Sequence, residues 1–281
     1  MLQTTSHQNT FLSIIKIGGN VIDNSEKLYN FLKAFVDLPG YKILVHGGGK
    51  MATKLAQDVG LEAKMINGRR VTDIETLRIV TMVYAGLINK NLVAQLQNKQ
   101  CNAIGLSGAD GNLIKAKKRP IQNFKNTETG ENEEVDFGYV GDLDAQSVNT
   151  KNLILLLENG FIPVFSAITH NGESQLLNTN ADTIASALAV GLSQNYETSL
   201  IYCFEKKGVL RDVEDEQSVI TEINPSTFET LQAQNIIHSG MLPKLHNAFE
   251  AINSGVKQVF IGSADELHLL KTQNFGTRIT T

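Results

Sequence analysis

The chain has 281 residues, of which 42% are apolar and 19% charged, and a net charge of −4. These values are typical of a globular protein with a substantial core. They do not indicate a nucleic-acid footprint, because the net charge is negative. Two cysteines are too few for a disulfide framework. No apolar run reaches the ~20 residues of a membrane span, and residues 1–10 are polar without a secretory leader pattern. We therefore expect a flexible segment over 1–10, no membrane partner and a cytoplasmic location.

Apolar runs with strand character alternate along the chain with segments of helical periodicity. The predicted strands lie at 12–17, 41–46, 102–106, 161–168, 199–204 and 257–261. The predicted helices are 25–36 with Ser25 as its cap, one from about Met51, a long one capped by Asp73, then 149–158, 180–192, 226–234 and 243–254. Residues 114–141, rich in charge and turn formers, predict a hairpin excursion. This alternation predicts an α/β protein with a mainly parallel central sheet covered on both faces.

A lysine interrupts the first predicted strand. Lys16 stands in the run IIKI and is followed directly by Gly18 and Gly19. A buried lysine is costly unless its charge meets a partner. At the carboxyl end of a parallel strand, where open α/β sheets bind ligands, that partner can be an anion. An edge strand with the lysine reaching solvent is the alternative.

The run HGGG, residues 46–49, ends the second predicted strand and opens a helix. Its unobstructed N–H groups at a helix N-terminus form a cradle for an anion. The run also satisfies G-x-G-x-x-A through Gly47, Gly49 and Ala52, so a dinucleotide-dependent oxidoreductase is an alternative. In that case Asp73 would have to be the acidic residue that contacts the ribose.

Three further segments combine polar residues with turns or helix starts. NGRRVT places Arg69 and Arg70 after an Asn-Gly turn, where one arginine can grip a carboxylate. LLNTNAD places Asp182 in the first turn of a helix. Lys244 follows Pro243 at another helix start, where a cation is unfavourable unless an anionic ligand binds there. Cations and N–H donors around one anion suit phosphoryl transfer, which needs little covalent help from the protein.

The ordered motifs IIKIGG, LVHGGG, NGRRVT, LLNTNAD, GMLPK and GTRI, with DFGYVGDL between them, resemble the acetylglutamate kinase branch of the amino-acid kinase family. The resemblance runs from about residue 12 to the end. It implies a three-layer αβα sandwich with two lobes: 11–172 for acylglutamate binding and dimerisation, and 173–281 for ATP binding. It also implies phosphorylation of the γ-carboxylate of N-acetyl-L-glutamate by ATP with Mg²⁺, in arginine biosynthesis, by a homodimer. No protein ligand to the metal is implied.

The resemblance assigns roles position by position. Lys16 and Lys244 would stabilise the transferring phosphoryl group and contact the nucleotide, Asp182 would orient both lysines, and N–H groups would come from Gly18, Gly19 and Gly48. The acylglutamate would be held by Gly48, Gly49, Arg70 and Asn178.

This chain departs from the family pattern at three positions. Glu205 stands where the nucleotide segment usually has an aspartate, so Glu205 and Gly208 are candidate nucleotide contacts. Lys50 and Arg69 replace a proline and an apolar residue, which makes them candidate acyl-group contacts. An acetyl group is small and neutral, whereas a succinyl group ends in a carboxylate, so N-succinyl-L-glutamate is an alternative substrate. Another member of the kinase family is a further alternative.

Overall fold

The computed structural model describes residues 10–66, 69–125, 132–237, 241–272 and 274–281. The flexible segment predicted for residues 1–10 and the Asn-Gly turn at 67–68 therefore lie outside the described residues, apart from Thr10. The fold is built on one eight-stranded sheet. In spatial order its strands are β14 (Glu222–Ile223), β16 (Thr277–Ile279), β15 (Gln258–Ser263), β13 (Glu197–Phe204), β1 (Phe11–Ile17), β2 (Tyr41–His46), β10 (Ile162–Ser166) and β5 (Ala103–Leu106).

The sheet is mainly parallel, as the sequence predicts. Neighbouring strands from β13 to β5 pair in parallel, and so do β14 and β16, whereas β15 and β16 are antiparallel. The helices are α1 (Gly19–Ile22), α2 (Ser25–Val36), α3 (Gly49–Asp58), α4 (Ile74–Thr81), α5 (Asn89–Asn98), α6 (Thr150–Glu158), α7 (Ala181–Leu192), α8 (Pro225–Ala233) and α9 (Leu242–Asn253).

Helices cover both faces of this sheet. Successive strand residues face opposite sides, and the four consecutive residues from Ile14 to Ile17 are all buried. Helix α7 packs on β13 and β1 and touches α9, while α2 packs against α5 and the 3₁₀ segment Ala264–Thr272. The arrangement is the predicted αβα sandwich, with its core between the helices and the sheet.

Helix starts follow the capping residues in the sequence, with one correction. The Asp73 side chain accepts from the Thr76 N–H at 2.7 Å, as predicted for the cap of α4. Ser25 was predicted to cap α2, but Asn24 does so, since its Oδ1 accepts from the N–H groups of Glu26 and Lys27. Both residue types are good N-caps, and the asparagine stands one residue earlier, outside the helix.

The long helix predicted from Asp73 is continuous but changes its winding. Helix α4 passes through a π-helical segment, Met82–Ile88, into α5. This 25-residue stretch, Ile74–Asn98, is long and apolar enough to meet the length and composition of a membrane span, and 44% of its most apolar window is buried within the protein. Buried core helices of globular proteins meet the same test.

Small strand pairs lie beside the main sheet, including the predicted excursion at 114–141. They are β3 (Met65–Ile66) with β4 (Arg69–Arg70), β6 (Lys117–Lys118) with β9 (Gly141–Asp142), β7 (Gln122–Lys125) with β8 (Asn132–Val135), and β11 (Ile168–His170) with β12 (Leu176–Asn178). A small second core of Val135, Phe137 and Val140 packs with Ile66 and Val71 beneath the first two pairs.

Candidate functional site

A cavity of about 670 Å³ opens at the carboxyl ends of β1 and β2. These two strands are parallel neighbours, so Lys16 near the end of β1 and the glycines after His46 meet at the same edge of the sheet. This is the edge at which open α/β sheets bind ligands. The cavity brings together most of the site residues predicted from the sequence: Lys16, Gly18, Gly19, Gly48, Gly49, Arg69, Arg70, Asn178, Asp182 and Lys244.

Lys16, Asp182 and Lys244 form the charged centre of the cavity. Lys16 Nζ lies 2.8 Å from Asp182 Oδ1, and the lysine side chain is only 11% exposed. The ring of Phe204 lies beneath both lysines, with its centroid 5.1 Å from Lys16 Nζ and 3.7 Å from Lys244 Nζ. Burial lowers the pKa of Lys244; Asp182 opposes that shift and Lys16 adds to it. Lys16 is thus paired with the carboxylate and Lys244 lies close enough to feel its charge, so two cations share one acid and the centre attracts an anion.

Asp182 is placed by the start of α7. Asn180 caps this helix, and its Oδ1 accepts from the N–H groups of Asp182 and Thr183 at 2.7 and 3.2 Å. The Tyr202 hydroxyl lies 3.4 Å from the Asp182 carbonyl oxygen, and its pKa is raised by burial and by the nearby Asp182 carboxylate. Asn180 therefore caps α7, and Asp182 in its first turn also pairs with Lys16 through its carboxylate.

Two helix N-termini face the same space with glycines at their caps. Gly18 precedes α1, and Gly48 precedes α3. A Cβ at Gly18 would meet nothing within 4 Å, whereas one at Gly48 would collide with Ile88 and lie 2.9 Å from Tyr84 Cδ1. Any larger residue at position 48 would therefore force the side chains of Ile88 and Tyr84 to move. The first N–H groups of each helix have no intrahelical acceptor and are suited to an anion.

Arg70 is anchored to the start of α3. Its Nη2 donates to the Gly49 carbonyl oxygen at 3.0 Å and to Thr53 Oγ1 at 2.7 Å. Tyr84 lies beside it; burial raises the pKa of Tyr84, and the Arg70 guanidinium opposes that shift. Asn178, at the end of β12, donates from Nδ2 to Thr72 Oγ1 at 3.0 Å. Arg70 and Asn178 are thus both fixed at the wall of the cavity, whereas Arg69 is exposed at its rim.

A second cavity, of about 480 Å³, shares Gly18, Gly19, Gly49 and Lys244 with the first. The predicted nucleotide contacts Glu205 and Gly208 line it. A Cβ at Gly208 would lie 2.7 Å from Thr277 Oγ1, and that hydroxyl accepts from the Val209 N–H at 2.8 Å. Thr277 of the terminal GTRI motif therefore packs against Gly208 and bonds to Val209 in the loop after β13.

Lys50 also lines this second cavity, where its Nζ donates to Asn20 Oδ1. The sequence predicts Lys50 as a contact of the acyl group, because it follows the HGGG run. Lys50 lies in the first turn of α3, so it adds a cation at the N-terminus of that helix. Gly18 and Gly19 line the same cavity. Lys50 lines the second cavity, whereas Arg70 and Asn178 line the first.

Sequence reasoning missed three residues at these cavities: Phe204 as the support of both lysines, Tyr84 beside Arg70, and Arg119. Arg119 follows β6 and lines the first cavity with Arg69 and Arg70. The run Lys-Lys-Arg-Pro at 117–120 was visible in the sequence, but its place in a hairpin excursion gave no reason to connect it with the central strands. Asp73, which the dinucleotide alternative required at the ribose, caps α4 instead.

The family model of the amino acid kinase family matches residues 12–263. The chain belongs to this family. It is 53% identical over 270 residues to the acetylglutamate kinase of Cytophaga hutchinsonii, covering 95% of this chain and 98% of the relative. It is 49% identical over 268 residues to the acetylglutamate kinase of Parabacteroides distasonis, with 95% and 98% covered. The crystal structure of smu.665 from Streptococcus mutans has a TM-score of 0.71 at 29% identity, covering 96% of this chain and 98% of that one.

Proposed function

We propose that this protein transfers the γ-phosphoryl group of ATP to the γ-carboxylate of N-acetyl-L-glutamate, which gives N-acetyl-L-glutamyl 5-phosphate for arginine biosynthesis. The observation that carries the proposal is the Lys16–Asp182 pair with Lys244, placed between two glycine-capped helix starts where two cavities join. The relatives named acetylglutamate kinase at about half identity over nearly the whole chain support this substrate.

In this reaction an oxygen of the γ-carboxylate attacks the γ-phosphorus, and the bond to the β-phosphate oxygen breaks. Negative charge is spread over the phosphoryl oxygens in the transition state. Lys16 lines the first cavity and Lys244 lines both, and the two ammonium groups stabilise that charge. Asp182 keeps Lys16 oriented through their 2.8 Å ion pair. The N–H groups after Gly18 and Gly48 supply further donors, and Arg70 with Asn178 holds the α-carboxylate of the glutamate.

The second cavity fits the donor nucleotide. Its lining combines lysines at 50, 206 and 244 with Gly18, Gly19 and Gly208, which suits a polyphosphate. We propose ATP as the donor, with Mg²⁺ held mainly by the phosphates. Residues 11–172 then form the acylglutamate lobe and 173–281 the ATP lobe, joined by a continuous sheet in which β1 pairs with β13.

We also propose that the protein is a cytoplasmic homodimer. The helix Ile74–Asn98 exposes Ile74, Met82 and Leu87 along its length, at 43%, 58% and 52%. An exposed apolar stripe of this kind on one helix is typical of a subunit interface.

The direct test is release of ADP from ATP, which should require an N-acylglutamate. We expect Lys244→Ala to lower kcat by about 10²–10³-fold with a smaller change in KM, because the lysine acts on transition-state charge. The matched control is Lys257→Ala, a lysine paired with Glu197 at the opposite end of β13. A kcat for Lys244→Ala within threefold of the parent would remove this lysine from the mechanism.

Stabilisation of the protein by NAD and not by ATP with Mg²⁺ would favour the oxidoreductase alternative.

A further inference from the structure

The substrate cavity holds more cations than the proposed reaction uses. Among the described residues that line it, Lys16, Arg69, Arg70, Arg119 and Lys244 are cationic and Asp182 is the acid. If Lys16 and Lys244 act on the phosphoryl group and Arg70 binds the α-carboxylate, two arginines remain. A neutral acetyl group offers no carboxylate to either of them.

Arg119 is held in one orientation. Its Nε lies 3.0 and 3.1 Å from the two Asp142 carboxylate oxygens, and its Nη2 lies 2.6 Å from Asp142 Oδ1. The guanidinium carbon lies 5.3 Å from the centroid of the buried Phe137 ring. The side chain is 14% exposed, whereas Asp142 is 41% exposed. A guanidinium already fixed in this way loses little entropy when it binds a carboxylate.

Arg69 and Arg119 belong to one continuous wall. Thr72, two residues after β4, bridges to the segment before β9: its N–H donates to the Phe137 carbonyl at 2.9 Å, and Tyr139 N–H donates to the Thr72 carbonyl at 2.7 Å. Arg119 N–H donates to the Val140 carbonyl at 2.8 Å. The small second core lies behind this wall, while Lys16 and Asp182 come from the main sheet and α7. The wall is therefore separate from the catalytic elements and borders the same cavity.

We infer that this wall is the acyl-group subsite and that it takes an acyl group ending in a carboxylate, of which succinyl is the simplest fit. The inference rests on the proposed phosphorylation of an acylglutamate and changes only the preferred acyl group, from acetyl to succinyl. A second carboxylate beyond the amide would meet Arg69 and Arg119 and form charge-assisted hydrogen bonds with them. With an acetyl group in place, Arg119 would keep Asp142 as its partner and Arg69 would stay exposed, and neither would contact the substrate's acyl group.

The test compares kcat/KM for N-succinyl-L-glutamate and N-acetyl-L-glutamate in the parent and in variants. We expect the parent to favour the succinyl substrate by about 10-fold or more, which is the value of one such contact. Arg119→Leu should lower the succinyl-to-acetyl ratio by a similar factor, Arg69→Leu should lower it less, and Arg119→Lys should restore part of it. Arg278→Leu is the matched control, because Arg278 makes a 2.6 Å ion pair with Glu222 at the far edge of the sheet. It should leave the ratio unchanged.

A parent that uses the acetyl substrate as well as or better than the succinyl one would overturn the inference. Equal effects of Arg119→Leu on both substrates would do the same, since they would show that Arg119 only supports Asp142. If Arg119→Leu fails to fold, Arg69→Leu and Arg119→Lys still give the ratio. Calorimetric binding of both acylglutamates to the parent separates this inference from the proposed function. Tighter binding of the succinyl compound without turnover would uphold the subsite and reject the kinase reaction.

Discussion

Two lysines in buried strands show how the same sequence feature serves two purposes. Lys42 in β2 donates to the carbonyl oxygens of Phe35, Val36 and Leu38 at 3.1, 2.7 and 2.7 Å, and so caps the end of α2. Lys16 in β1 meets the Asp182 carboxylate and faces the cavity. The first lysine has its donors satisfied by the protein, so it is structural. The second keeps donors available for a ligand.

At this scale Lys50 gives a prediction about the donor nucleotide. Because Lys50 lines the second cavity beside Lys244, Lys50→Ala should raise the KM for ATP about 3- to 10-fold, the loss of one exposed charge contact. The KM for the acylglutamate should change less. Arg69→Ala is the matched comparison and should show the reverse pattern. Steady-state kinetics with each substrate varied in turn measure both KM values. A larger effect of Lys50→Ala on the KM for the acylglutamate than on the KM for ATP would show that Lys50 contacts the acylglutamate instead.

His46 gives a prediction about pH. Complete burial lowers its pKa to about 4, partly offset by its hydrogen bond to the Gly47 carbonyl. Since the unfolded chain binds this proton near pH 6.5 and the folded protein does not, stability falls as the pH drops from about 6.5 towards 4. The effect is at most about 3 kcal/mol. His46→Gln should flatten this dependence in urea unfolding between pH 5 and 8. A parent whose stability is constant over that range would contradict the assignment.

At the scale of elements, the π-helical segment Met82–Ile88 is the part of the long helix that lies against the glycine turn at the first cavity. Tyr84 and Ile88 from this segment close on Gly48, and Asn89 at its end donates to the Val164 carbonyl at 2.9 Å and contacts His46 Nε2 at 3.1 Å. The turn after β2 is therefore held from behind by the helix. A local change in winding of this kind often marks a functional region.

Gly48→Ala tests that contact. The added methyl group would overlap Ile88 and Tyr84, so we expect a loss of stability of about 1–3 kcal/mol and a loss of activity from displacement of the glycine turn. Gly86→Ala is the control, because a Cβ there meets nothing within 4 Å. Thermal unfolding and ADP release measure the two effects. A Gly48→Ala protein as stable and active as the parent would show that the helix does not fix this turn.

At the scale of the whole molecule, the exposed stripe of the helix Ile74–Asn98 predicts how subunits meet. We expect light scattering to give a dimer for the parent and a monomer for the double variant Met82→Glu, Leu87→Glu, because two charges cannot be buried in an apolar interface without partners. Val59→Glu, at an equally exposed residue after α3, should remain dimeric. A monomeric parent would reject the proposed assembly, and a dimeric double variant would place the interface elsewhere.

The sequence by itself determined the architecture and most of the site. Apolar runs and capping residues defined the strands and helices. The motifs around Lys16, HGGG and NTNAD lie at the ends of strands or the starts of helices, where capping and the helix dipole depend on neighbouring residues alone. The tertiary structure alone decided which cavity Lys50 faces and which partner each buried lysine has. It also placed Arg119 with Arg69 in the lining of the first cavity. These facts depend on long-range contacts, because strand pairs distant in sequence meet through the Thr72–Gly138 bridge. Periodicity and capping report a segment's own neighbours, and they carry no information about a guanidinium brought in from a separate hairpin.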